Sequence, residues 1–159
     1  MTDTTGILTL DCTSAGLRCP NRKRALQFAS DLLAEHHPQV SAHILFDSLM
    51  ERERLGSTGL GEGVAIPHCR LEGAPIMAAL IVLDEAVDFD APDGQPVDLL
   101  YVLVVPPEET SAHLDILATL AELFGADTDR KALRSASDAA ELYDTFANAI
   151  ARNQHVKAG

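Results

Sequence analysis

The sequence predicts one compact α/β domain, a β-sheet covered by helices on both faces. Three observations lead there. The segments Met77–Leu83 and Leu99–Val105 are apolar at every residue, and such strands are buried on both sides, which requires helices above and below the sheet. Stretches with helical periodicity lie before and after them. The 159 residues suffice for one domain with a sizeable core and contain no internal repeat, low-complexity tract or linker.

Taken in order, the chain to about residue 20 shows little periodicity. Pro20-Asn21 is a breaker followed by a helix N-cap, and Ala25, Phe28, Ala29, Leu32 and Leu33 recur at helical spacing, predicting a helix over 22–36. Pro38 separates it from a second helix, capped by Ser41, with Ala42, Leu45, Phe46, Leu49 and Met50 on one face. That helix ends in Glu51-Arg52-Glu53-Arg54, before a glycine-rich loop at 56–63. Val64-Ala65-Ile66 reads as a short strand stopped by Pro67, and Asp93-Gly94 as a turn between the two apolar strands. After Pro106-Pro107 comes the clearest helix, capped by Thr110 or Ser111, with Ile116, Leu117, Leu120, Ala121 and Phe124 as its stripe. A short helix over 128–136 and a last one over 139–152, opened by the pair Asp138 and Glu141, complete the reading.

Composition narrows the function classes. Hydrophobic residues make up 47% and aromatic residues 4%, so the core is expected to be aliphatic. No apolar run approaches the ~18 residues of a membrane span. The opening MTDTTGILTLD carries acid where a secretory signal carries Lys or Arg, which predicts a cytoplasmic protein. Cys12, Cys19 and Cys69 are odd in number and form no CxxC pair, so no disulfide framework is expected. The net charge of −12 disfavours nucleic acid and anionic lipid, and suits a partner with a basic docking face.

Chemistry concentrates between Arg52 and His68, RERLGSTGLGEGVAIPH. Gly56, Gly59, Gly61 and Gly63 allow a tight loop whose N–H groups can gather around an anion, and Ser57 and Thr58 add hydroxyl donors. No GK[ST] follows and no GxGxxG spacing is present, so neither a Walker loop nor a dinucleotide fingerprint applies. Pro67 stiffens the chain where it delivers His68, and an imidazole that is neutral near pH 7 on a rigid support can attack phosphorus. The structural alternative is a half-buried histidine bonded to a backbone carbonyl. His113 falls in the first turn of its helix, where N–H groups and partial positive charge suit a phosphoryl oxygen; capping the core's edge is its alternative. Arg52 offers a planar, permanent cation to a phosphate, or simply a solvated charge near a helix C-terminus.

Together these residues resemble the mannitol/fructose/nitrogen class of enzyme IIA of the bacterial phosphotransferase system. The pattern R-E-x-x-G-S-T-G-x-G-x-G-x-A-I-P-H at Arg52–His68 carries the resemblance, with QPVDLLYVLVVP at 95–106 and His113 ahead of LDILATLAELF. It covers roughly residues 18–150 and is most similar to the nitrogen-regulatory type. The resemblance implies a mixed sheet flanked by helices on both faces, and a domain over 18–152 between an unassigned segment, 1–17, and a tail, 153–159. It implies that His68 accepts a phosphoryl group from an HPr-type histidine phosphocarrier, with His113 and Arg52 serving that group and the loop residues Gly56, Ser57, Thr58 and Gly59 stabilising it. It implies no metal and no cofactor. The partners implied are the carrier together with regulatory targets, or a IIB component in a sugar-transporting alternative. That no IIB or membrane segment accompanies the chain favours the regulatory reading. Two rivals are weaker. A metal site from His36, His37, His43 and Cys69 fits no standard zinc spacing, and a hydrolase using Ser57, His68 and Asp98 lacks a nucleophile elbow.

Overall fold

The computed structural model describes residues 7–108 and 110–158, and their side chains over 7–108 and 114–153. In chain order the elements are β1 (Leu8–Leu17), α1 (Arg22–His36), α2 (Ala42–Leu55), β2 (Gly59–Gly61), β3 (Val64–Ala65) and β4 (His68–Arg70). There follow β5 (Met77–Val87), β6 (Val97–Val105), α3 (Thr110–Gly125), α4 (Asp127–Arg134) and α5 (Ala139–Ala158). The sheet runs β1-β5-β6-β3-β2, with β4 also paired to β6. It is mixed: β5 and β2 run antiparallel to β6 and β3 respectively, while β1 with β5, and both β3 and β4 with β6, are parallel.

The two continuous apolar strands lie in the middle and divide their side chains between two cores. Ala79, Ile81, Leu100, Val102 and Val104 pack with Ala25, Ala29 and Leu33 of α1 and Leu45 and Leu49 of α2. On the other face, Leu80, Leu99, Tyr101 and Leu103 meet Ile116, Leu120 and Phe124 of α3, Leu133 of α4, and Leu142 and Phe146 of α5. Each fully buried Leu, Val or Ile contributes about 1.5–3 kcal/mol relative to an exposed one. An all-apolar strand therefore requires both helical layers.

The helix ends follow the chemistry of their caps. The Asn21 side chain accepts from Arg24 N at 2.9 Å and that of Ser41 from Ile44 N at 3.3 Å. Asp138 accepts from Glu141 N at 2.8 Å, and Glu141 reaches back to Ser137 N at 2.9 Å. The expected cap of α3 lies outside the described side chains; Thr110 is that helix's first residue. Two residues of its expected stripe change places, because Leu123 is buried and Ala121 is exposed. No helix among the described residues is long and apolar enough to cross a membrane.

Three expectations are corrected. The segment left unassigned contains β1, an edge strand on β5; its polar Thr9, Asp11, Thr13 and Ser14 hide the alternation that would have revealed it. The glycine stretch is a hairpin rather than a plain loop, since β2 turns back on β3 through Glu62 (φ 58°) and Gly63 (φ 78°). Consecutive positive φ values at a turn's two central residues match the twist of the flanking strands. Finally, Pro67 interrupts its strand without ending it. Ala65 faces Leu100 and His68 faces Leu103, so the register on β6 is the same on either side of the proline. Pro67 has no N–H to donate, but its carbonyl still accepts from Leu103 N at 2.9 Å.

Candidate functional site

His68 is the first residue of β4, directly after the buried Pro67. Strand alternation places His68 and Arg70 on one face and turns Cys69 into the core, where it is 6% exposed. Burial pushes the Cys69 thiol up to about 11, so it is a protonated packing residue at neutral pH. Nδ1 of His68 lies 2.7 Å from the Ile66 carbonyl oxygen. A carbonyl only accepts, so Nδ1 carries the proton and Nε2 the lone pair. Burial, and then the positive charge of Arg52, lower the pKa of the ring against the opposing effect of the Ile66 bond. The imidazole is neutral at pH 7 and nucleophilic at Nε2.

A cavity of about 490 Å³ opens at His68, lined by Ser48, Glu51, Arg52 and Leu55 of α2 and by His68, Cys69 and Arg70 of β4. The four α2 residues are spaced three and four apart and form one face of that helix. Arg52 is fixed there: Nη1 donates to the Gly56 carbonyl at 2.8 Å, across the C-terminal end of α2. Leu55 is 81% exposed and gives the rim an apolar edge. Glu51, the one acid among the lining residues, is paired with Arg54 at 2.7 Å. The chain's overall acidity therefore does not extend to this mouth, where a basic partner face would meet Arg52 and Arg70.

The glycine-loop residues do something other than line this cavity. Gly56 caps α2, donating its N–H to Glu53 O at 3.2 Å. The Ser57 hydroxyl donates to Phe89 O at 2.6 Å and accepts from Gly59 N at 3.0 Å. The Thr58 hydroxyl, buried, donates to the carboxylate of Glu53. Gly59 is pressed against the β5–β6 connection, where a Cβ would stand 2.9 Å from that of Ala91. Both hydroxyls anchor the loop in this arrangement. Their contribution is to hold the end of α2, and with it Arg52.

Sequence reading missed Glu53, which is 5% exposed at the heart of that anchor. Arg22 stands 3.5 Å from its Oε1 and also donates to Phe89 O at 3.2 Å. The signal was present: Leu45, Leu49 and Glu53 fall four apart on the buried stripe of α2. Arg70 was missed too, although it sits two residues from His68 on a strand. His113 lies in the first turn of α3, and its side chain is outside the described residues. The backbone of α3 begins past the end of β6, where Leu71 N bonds Val105 O at 2.8 Å just beyond β4.

The rival constellations are not assembled. Asp98 pairs with Arg134 at 3.0 Å and Ser57 bonds Phe89 O, so no serine–histidine–carboxylate relay forms at His68. His43 pairs with Asp47 at 3.3 Å, and no cluster of three metal-ligating side chains occurs among the described residues.

Known proteins are similar to this chain in sequence and in fold. A nitrogen regulatory protein of Pseudomonas aeruginosa is 48% identical over 125 residues, 77% of this chain and 80% of that one. Its Escherichia coli counterpart is 38% identical over 139 residues, 86% of this chain and 85% of that one. Among solved structures, the nitrogen regulatory protein IIA-Ntr of Neisseria meningitidis superposes with a TM-score of 0.83 at 39% identity, covering 89% of this chain and 97% of that one. The IIA mannitol protein of Escherichia coli shares the fold at a TM-score of 0.72 and 18% identity, over 86% and 96% of the two chains. The family model described as phosphoenolpyruvate-dependent sugar phosphotransferase system, EIIA 2, matches residues 6–149, and the chain belongs to that family.

Proposed function

We propose that this chain accepts a phosphoryl group on Nε2 of His68 from an HPr-type histidine phosphocarrier and acts as a phosphorylation-dependent regulator. One observation carries the reading: His68 holds its Nδ1 proton on the Ile66 carbonyl and lines a cavity shared with the Arg52 guanidinium. In the transfer, the lone pair of Nε2 forms the bond to phosphorus as the carrier's N–P bond breaks, and that electron pair returns to the carrier's ring. The Nδ1 proton stays with Ile66. Protein-bound donors around a transferring phosphoryl group supply most of the catalysis in such steps. Arg52 fills that role, with His113 as the second donor.

Regulation is supported by the relatives named nitrogen regulatory protein. Adding up to about two negative charges beside an apolar rim changes what can dock there. A sugar-transport reading has its own support, in the fructose-specific EIIA component of Haloferax volcanii, 28% identical over 151 residues. Two measurements separate the possibilities. Incubation with phosphoenolpyruvate, enzyme I and an HPr-type carrier should add one phosphate by intact mass, lost in His68→Ala. Affinity capture from native cytosol should then give partner sets that differ between phosphorylated and unphosphorylated protein. Absence of the added phosphate defeats the acceptor role; identical partners with rapid transfer to a IIB component defeat regulation.

A further inference from the structure

We infer that Arg70 is a second phosphate-binding cation of this site, one that holds the phosphoryl group once it is on His68. The inference rests on the acceptor role proposed for His68 and deepens it.

Acids outnumber bases by 24 to 12 in this chain, so an arginine with no partner of any kind stands out. Every other described arginine is engaged. Arg18 pairs with Asp84, Arg22 with Glu53, Arg54 with Glu51, Arg130 with Asp127, Arg134 with Asp98 and Arg152 with Asp129. Arg24 bonds Gln27, and Arg52 bonds the Gly56 carbonyl. Arg70 alone among them has neither a hydrogen bond nor an ion pair, and it lines the cavity of His68.

The backbone explains how it comes to be there. His68 and Arg70 alternate with the core-facing Cys69, so both rise from the same face of β4. Residues two apart on a strand are about 7 Å from one another along it, a span that an extended guanidinium bridges. The neighbouring acid cannot neutralise it, because Glu51 is held by Arg54 at 2.7 Å. The mouth of the cavity therefore keeps Arg52 and Arg70 as cations uncompensated by its own lining. Arg52 already has one N–H fixed on a carbonyl. Arg70 has all five donors to offer, in the fork geometry that matches a phosphate.

A cation that meets the phosphoryl group mainly after transfer stabilises the product. It therefore shifts the partition of phosphate between carrier and chain rather than the affinity for the carrier. Removing one charge-assisted contact changes such an equilibrium by about tenfold or more. The wild type, Arg70→Gln and Arg70→Lys should be equilibrated with phosphorylated carrier, with partition read by intact mass and the bound phosphate titrated by phosphorus NMR. In Arg70→Gln we expect the partition to fall about tenfold towards the carrier and the phosphoryl titration to move to higher pH, since a nearby cation favours the dianion. Arg70→Lys should recover part of both, and the KM for the carrier should stay within twofold of wild type. An unchanged partition and titration in Arg70→Gln overturns the inference, and so does a raised KM as the sole effect, which would assign Arg70 to carrier docking. No phosphate on wild-type protein would overturn the acceptor role itself, and the Arg70 assignment with it.

Discussion

Nδ1 of His68 and the carbonyl oxygen of Ile66 stand 2.7 Å apart across the buried Pro67. The contact joins a ring to the backbone two residues before it, so the tautomer is fixed by the same tripeptide that fixes the strand. A proline in the middle keeps Ile66 extended and stops that segment from rearranging.

From that geometry follows a pH dependence. Burial and the Arg52 charge hold the folded pKa of His68 below its ordinary 6.5. The ring stays neutral, and competent to accept, down through pH 6.5, and acceptance falls only as pH drops through the lowered value. Stability follows the same sign. The fold favours the neutral ring, so the contribution of His68 declines as pH falls from the unfolded value towards the folded one. Initial transfer rates against pH, with an NMR titration of the ring, check this; a midpoint at or above 6.5 contradicts it.

Arg52→Gln removes both the proposed hydrogen-bond donor to the phosphoryl group and a cation that depresses the His68 pKa. Transfer should slow by roughly a hundredfold or more. The His68 titration should move to higher pH in the unphosphorylated protein. A rate within twofold of wild type, with an unmoved titration, would leave Arg52 only its bond to the Gly56 carbonyl.

His113→Ala should likewise slow transfer by roughly a hundredfold while leaving His68 modifiable on long incubation. The expectation rests on its place in the first turn of α3, where a helix presents free N–H groups and partial positive charge. Single-turnover kinetics separate this from a loss of acceptor function. Wild-type rates would return His113 to capping the core's edge.

Much of this was legible in the sequence, for physical reasons that also explain the gaps. The all-apolar Leu99–Val105 could only be a strand covered on both faces, and that is what β6 is. The caps at Asn21 and Ser41 were legible because a side-chain oxygen at an N-terminus has a single local use. β1 was not, because its pairing with β5 is long-range and its polar residues break the alternation. His68 and Arg52 were marked by their motif. The partners of the Ser57 and Thr58 hydroxyls were not legible, because a donor in a glycine loop serves an anion or a carbonyl equally well. The carbonyl of Phe89 and the carboxylate of Glu53 are brought to them only by the fold.

Glu53 provides a test of that anchor. Burial raises the pKa of its carboxyl, opposed by the Thr58 bond and by Arg22 and Arg52. A raised acid pKa means that the folded state binds more protons, so stability falls as pH climbs from the unfolded value of 4.5 through the folded one. Denaturant unfolding of wild type and Glu53→Gln between pH 4 and pH 8 isolates this part. The difference between the two proteins should change as pH rises from 4.5 through the raised folded value and level off above it. A constant difference would show that the Thr58 bond, Arg22 and Arg52 fully offset the burial of Glu53.

In the second core, the Tyr101 ring stacks on Phe146 with centroids 5.2 Å apart and tilts against Phe124 at 6.3 Å. Its hydroxyl is fully buried and has no hydrogen-bond partner among the described residues. A neutral hydroxyl withdrawn from water without a partner costs about 1–3 kcal/mol, whereas the ring itself gains from burial and stacking. The two parts of one side chain therefore act in opposite directions, and substitution separates them. Tyr101→Phe keeps the stacked ring and deletes the uncompensated oxygen, so it should leave stability unchanged or raise it by up to about 2 kcal/mol. Phe146→Ala removes the ring that Tyr101 stacks on and opens a cavity between α5 and the sheet, at a cost of about 3–5 kcal/mol. Urea unfolding of both variants measures the contrast. Loss of more than about 1 kcal/mol in Tyr101→Phe would mean that the hydroxyl has a bonding partner in solution, such as a buried water.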